Sequence, residues 1–180
     1  MATEILLTSE AFVKSVSNIS DNVAGKYLRP SIREAQEIKM RTIIGDALLD
    51  KLKALVEDNT IGEVANVAYK TLVDRAQYFL AYSAIVELVP KVTFKIANAG
   101  VVKTPDEKVE VVNFSDLTAA RAYYQTLADT ECRKIQQYIL RNRADYPELD
   151  DCEANEIHAT LRSAASCGIF LGGARGKIIR

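Results

Sequence analysis

Residues 78–89 read Tyr78-Phe79-Leu80-Ala81-Tyr82-Ser83-Ala84-Ile85-Val86-Glu87-Leu88-Val89, and the reading of this stretch decides the fold. Upstream of it Val64, Val67, Ala68, Leu72, Ala76, Phe79 and Leu80 recur at the 3.6-residue period. They predict a long helix that begins near Glu63. Within 78–89 the polar face nearly disappears, and a helix that is apolar almost all round is one surrounded by neighbours. Pro90 removes a hydrogen bond and predicts a kink, with Lys91 to Ile96 continuing the helix and Asn98-Ala99-Gly100 ending it. The apolar run from Ala76 to Val89 is interrupted by Gln77, Ser83 and Glu87, and it falls short of the roughly 20 residues that a membrane span needs.

Working outward, Ser9 is placed to cap a short helix with the stripe Phe12, Val13, Val16 and Ile19, which Ser20-Asp21-Asn22 breaks. Pro30 precedes Ser31-Ile32-Arg33-Glu34, a capping-box pattern, so a second helix is expected from Ser31 towards Ile43 and Ile44. Gly45-Asp46 supplies a stop and a new cap. A third helix follows, with Leu48, Leu49, Leu52, Leu55 and Val56 on one side and Asp50, Lys51, Lys53 and Glu57 on the other.

The period changes once. Val101-Val102-Lys103 and Val109-Glu110-Val111-Val112 are β-branched runs flanking the turn-like Thr104-Pro105-Asp106-Glu107-Lys108, which predicts a β-hairpin at about 101–112. Ser115 or Asp116 then caps another long helix, with the stripe Leu117, Ala120, Tyr124, Leu127, Ala128, Cys132, Ile135 and Ile139 and an outer limit at Pro147. Glu148 to Glu156 is acidic and loop-like, Asn155 to Ser166 suits one further helix, and Cys167 to Arg180 is glycine-rich, apolar and basic. The expected fold is therefore mostly α: a helical bundle with one β-hairpin and an extended C-terminal arm. Residues 1–147 would form the bundle, and 148–180 the C-terminal helix and arm.

The bulk properties agree with one domain. The chain has 180 residues, 48% of them hydrophobic and 26% charged, enough to bury a core. A formal net charge of −1 argues against a nucleic-acid footprint spread over the surface, because phosphate binding needs clustered Lys and Arg. Thr3 and Glu4 precede only the short run Ile5-Leu6-Leu7, so no secretory signal is expected. Cys132, Cys152 and Cys167 are odd in number and lack CxxC spacing, which suits free thiols in a reducing compartment.

Catalytic and metal chemistry finds little support. His158 is the sole histidine, whereas a di-iron bundle needs Glu-x-x-His on two helices, so Glu153 to His158 reads as a solvated face. Gly172-Gly173-Ala174-Arg175-Gly176-Lys177 lacks the spacing, the following Ser or Thr, and the strand-to-helix context of a phosphate loop. No nucleophile–base pair appears, and neither a cofactor nor a metal is expected.

Two readings of the tail stay open. One is a flexible basic end. The other is an arm that docks on a partner, with Phe170 and Leu171 as apolar anchors and Arg175, Lys177 and Arg180 meeting acidic groups or phosphate. Tyr69, Tyr78, Tyr82, Tyr123, Tyr124 and Tyr138 all fall on the long helices, where they suit core or interface better than base stacking. An isolated ribbon is marginal in water, so Val101, Val109 and Val111 would pack on the helices or add to a neighbouring subunit's sheet. Lys103 and Phe114 flank them and complete the expected interaction residues.

Three stretches carry a resemblance. Leu28-Arg29-Pro30-Ser31-Ile32-Arg33-Glu34-Ala35-Gln36 running to Ile43-Ile44-Gly45, then Lys95-Ile96-Ala97-Asn98-Ala99-Gly100-Val101-Val102, then Tyr146-Pro147-Glu148-Leu149, resemble in order and spacing the head–tail connector, or ring, proteins of tailed Bacteroidetes phages, crAss-like phages included. The resemblance implies a non-enzymatic virion protein of the phage neck, assembled in the bacterial host cytoplasm. Such an adaptor forms a homo-oligomeric ring, expected to be a dodecamer, beneath the portal protein. It extends the channel through which genomic DNA passes without sequence-specific binding, and it joins the portal to the tail or further neck proteins, with no membrane involved. By the same resemblance, Val101 to Val112 and Cys167 to Arg180 would make the contacts between subunits and to the portal. The competing reading, from a different class, is a small helical regulatory or DNA-associated module using Arg175, Lys177 and Arg180. Particle mass in solution separates the two.

Overall fold

The computed structural model describes residues 4–20, 22–97, 100–103 and 114–149. An entering segment leads into α1 (Glu10–Ser15), where the Ser9 hydroxyl accepts from the Phe12 amide at 3.1 Å, as its sequence position predicts. Next come α2 (Gly25–Glu34), a π-wound turn (Ala35–Met40) and α3 (Arg41–Ile44), continuous with one another. The capping box expected at Ser31 does not form, because Pro30 lies inside α2. Ser31 Oγ instead donates back to the Tyr27 carbonyl at 2.9 Å, and Glu34 pairs with Lys91 at 2.5 Å. Proline there forfeits one backbone bond, and carrying the helix back to Gly25 buries Leu28 on the same face as Ile32. Burial wins.

Gly45 separates α3 from α4 (Asp46–Glu57) with φ at 82°, a conformation that a side chain resists. Its N–H closes α3 on the Arg41 carbonyl at 2.8 Å, and Gly45 rather than Asp46 is the residue capping α4. A 3₁₀ turn (Val64–Asn66) then opens into α5 (Val67–Thr93). Leu72, Ala76, Leu80, Ala81, Ser83 and Ala84 of α5 are fully buried, as befits a helix with neighbours on several sides. Its main neighbours are α6 (Phe114–Arg141) and α2. The ring contacts Tyr82–Tyr124 and Arg75–Tyr138 show that α5 and α6 run antiparallel.

After α6 two 3₁₀ turns, Arg143–Asp145 and Pro147–Leu149, fold the chain back. Tyr146 between them is fully buried, its hydroxyl donating to the Ala68 carbonyl at 3.0 Å and its ring meeting Tyr69 edge-on at 5.7 Å. Glu148 accepts from the Tyr69 hydroxyl at 2.8 Å, so the bundle holds the chain as far as Leu149.

The expected hairpin at 101–112 is overturned, and with it the fold expectation that contained it. The α5 helix stops at Thr93, and β1 (Phe94–Ala97) pairs antiparallel with β2 (Gly100–Lys103), setting Phe94 opposite Lys103 and Ala97 opposite Gly100. Val101 to Lys103 thus pair backwards, with a stretch expected to be helical, while Val109–Val112, the partner expected for them, lies outside the described residues. Two residues separate β1 from β2, a connection that costs somewhat less closure entropy than a five-residue turn, and Pro90 has already weakened the end of α5. The body of the described molecule is otherwise helical. Of the stretch expected to be acidic and loop-like, Glu148 and Leu149 belong to the second 3₁₀ turn, whereas Val109, Val111, the rest of that stretch, His158, Cys152, Cys167 and the expected C-terminal helix and arm lie outside the described residues.

Candidate assembly interface

The first half of α6 is poorly covered by the rest of the described molecule. Of residues 115–127 none is buried, and the first buried position is Ala128, followed by Ile135 and Ile139. Leu117, Tyr124 and Leu127 are half-buried, whereas Ala119, Ala122, Tyr123 and Thr126 are exposed, Tyr123 to 61%. Arg121 is the one charge between Leu117 and Leu127. Small side chains let another backbone approach closely, and tyrosine supplies contact area at little entropic cost.

Several contacts make this surface rigid. The Tyr124 hydroxyl accepts from the Asn18 N–H at 3.3 Å, and its ring lies 6.4 Å from that of Tyr82. Tyr123 then meets Tyr124 edge-on at 5.3 Å. Burial, followed by the Glu131 carboxylate, pushes the Tyr82 phenol up, so it stays protonated. The antiparallel pairing brings Val92, 41% exposed near the end of α5, and the β1–β2 ribbon to the same end of the molecule. Behind this surface the half-buried Cys132 thiol is pushed up by burial, which keeps it in its unreactive protonated form.

A second polar constellation joins the π-wound turn to α4. Arg41 reaches Glu37 at 2.6 Å, Asp46, and Asp50 at 3.5 Å, while Lys53 reaches Glu37 at 2.7 Å. Gln36 adds an amide donor to Glu37 at 3.0 Å. Burial works to raise the Glu37 carboxyl, but the donors Lys53, Arg41 and Gln36 outweigh it and bring it down to about 2. Burial also works against the Arg41 charge, which its bonds to Glu37 and Asp46 hold firmly in place. These groups satisfy one another, so the cluster is a clasp between helices. A folded-state value below the ordinary 4.5 means the stabilisation is complete above pH 4.5 and is lost as pH falls towards 2. Acid titration of the wild type followed by circular dichroism is expected to show stability declining through that window by about 2 kcal/mol, allowing for partial exposure. Glu37→Gln should flatten the decline.

Of the expected interaction residues, Val101 and Lys103 share β2, and Phe114 is the first residue of α6. The antiparallel geometry places all three at one end of the bundle. Val109, Val111, Phe170, Leu171, Arg175, Lys177 and Arg180 lie outside the described residues. Sequence reading placed Tyr123 among core or interface aromatics but did not single out Ala119 and Ala122, whose exposure no composition signal reveals. Among the described residues no group of His, Cys, Asp and Glu is arranged to hold a metal ion, and no helix is long and apolar enough to cross a membrane.

Residues 40–159 match the model of a family described as "Family of unknown function (DUF6712)". No curated protein and no solved structure matches the chain.

Proposed function

The chain belongs to the DUF6712 family, and we propose, from its α6 face and its sequence resemblance, that it is a self-assembling structural subunit, a head–tail connector that forms a ring beneath a phage portal. The observation that carries the reading is the first half of α6, which extends an antiparallel helix pair with a rigid, nearly uncharged face and a solvent-facing Tyr123. A ring subunit needs two different complementary surfaces that meet head to tail and close after a fixed rotation. The α6 face would be one of them. The sequence resemblance to connector proteins supplies the virion context, with the portal and further neck proteins as partners and DNA in the channel.

Mass photometry and negative-stain electron microscopy of the purified full chain test this. Closed rings of many copies are expected, and a monomer across the micromolar range would refute the proposal. A monomer that binds duplex DNA with strong salt dependence would favour the regulatory module instead. Tyr123→Glu places a charge in the proposed contact and is expected to weaken self-association by roughly tenfold or more, with helicity unchanged. Sedimentation velocity reads the shift.

A further inference from the structure

The outer face of α6 continues past Ala122, Tyr123 and Thr126 through Thr130, Arg133, Gln137 and Arg141, all exposed and turned to one side by the helical period. From Cys132 to Arg143 the chain has four bases and no acid. Just before them, Glu131 is taken by Lys134 at 2.6 Å, and Asp129 accepts from the Gln125 amide at 2.7 Å. Leu140, beside Gln137 and Arg141, is 36% exposed. The corner between α4 and α5 has the opposite character. From Glu57 to Tyr69 it has three acids and no base, and Val64 and Val67 are 91% and 55% exposed. The corner is also stiff. The Thr60 and Ile61 amides donate to the Leu55 carbonyl at 3.0 and 3.1 Å, and Asn66 Nδ2 donates to the Thr60 carbonyl at 2.9 Å. Among the described residues Glu57, Asp58, Glu63, Arg133 and Arg141 have no ion pair.

We infer that the corner of one copy, from Glu57 to Val67, docks on the outer face of α6 of a second copy, from Arg133 to Arg141. The inference rests on the assembly reading above: it lengthens the α6 surface and names the second surface that a ring subunit needs. Charge selects the pairing. Glu57, Asp58 and Glu63 bring three carboxylates to Arg133, Lys134 and Arg141, while Val64 and Val67 cover Leu140. The corner is held by its own backbone bonds and the receiving face is a helix, so little order has to be gained on contact. The Arg75–Tyr138 and Ala68–Tyr146 contacts put the corner and this stretch of α6 at the same end of the helix pair. Two surfaces at one height let successive subunits close into a flat ring, whereas surfaces at opposite ends would climb into a filament.

The test uses two full-length variants, Glu57→Lys with Glu63→Lys, and Arg133→Glu with Arg141→Glu. All four side chains are exposed, so circular dichroism should match wild type. Each variant alone sets like charges against each other and is expected to self-associate at least roughly tenfold more weakly, read by mass photometry. Mixed in equal amounts, the two restore opposite charges at every contact, and rings of alternating copies should return. Unchanged rings from either variant alone, or a mixture that stays monomeric, would overturn the inference. So would loss of duplex-DNA binding without loss of rings in the Arg133→Glu, Arg141→Glu variant, which would make this face a nucleic-acid surface. Photocrosslinking from Gly62→p-benzoylphenylalanine probes the contact with every charge kept. A Cβ at Gly62 meets nothing within 4 Å, so the fold accommodates the new side chain. Links to residues 130–141 of a second copy are expected, and links to any other segment, or none, count against the docking. Wild-type rings alongside any of these failures refute only this contact, whereas wild-type monomers refute the assembly reading as well.

Discussion

Replacing Tyr146 by alanine is expected to lower the melting temperature by roughly 10 °C or more, the largest stability effect that any single described side chain should produce. The ring is fully buried among Tyr69, Tyr138 and the first turns of α5, and its hydroxyl ties the chain after α6 to the Ala68 carbonyl. Truncating a buried aromatic removes its transfer free energy and leaves a cavity that helices on several sides relax into only partly, together about 3–5 kcal/mol. Tyr146→Phe keeps the ring and loses only the hydroxyl. The Ala68 carbonyl still serves the α5 ladder, so that variant should cost about 1 kcal/mol. Burial, with the Tyr138 hydroxyl next, pushes the Tyr146 phenol far up, so it does not ionise within the folded range and both variants should show the same loss at neutral and mildly alkaline pH. Scanning calorimetry of the three proteins measures it, and a melting temperature for the alanine variant within about 2 °C of wild type would show that the turns after α6 are not part of the cooperative unit.

Periodicity carried the helices well where burial follows one face. The stripe from Val64 to Leu80 and the all-apolar run after it lie within the 3₁₀ turn and α5, and the Leu48–Leu55 stripe lies in α4. Local signals failed where tertiary packing chose between two local options. Pro30 before a capping-box pattern reads as a helix start, yet Leu28 gains more by being helical and buried than the cap would give. The ribbon shows the same logic, since β-branched runs identify Val101 to Lys103 as strand without naming the partner. Nothing in composition marks Gln36 as buried. Its position is legible only once the entering segment is seen to need a donor and an acceptor at one place.

The ionic clasp was legible in part, and its size leads to the second large expectation. Glu37 and Arg41 stand four apart, a helical ion pair readable from the sequence. Asp46, Asp50 and Lys53 belong to the next helix, and only the left-handed backbone at Gly45 swings them onto the same charges. Arg41 is the member that three carboxylates share, and its side chain is only 20% exposed. Removing it with Arg41→Met keeps the aliphatic stem but leaves Glu37 and Asp46 short of a partner in a partly desolvated place, so a loss of about 2–3 kcal/mol is expected. Arg41→Lys should recover less than half of it, because an ammonium cannot reach carboxylates on both sides as the planar guanidinium does. The Glu37 carboxyl should also rise towards its ordinary value when this donor is lost, moving the acid transition to higher pH. Urea unfolding at pH 7 and pH 3.5 distinguishes a clasp from an ornament. If Arg41→Met is destabilised at pH 7 but less so at pH 3.5, charge sharing holds the α3–α4 corner. Equal midpoints for mutant and wild type at pH 7 would mean that the apolar contacts of Leu48, Leu49 and Leu52 set that corner alone.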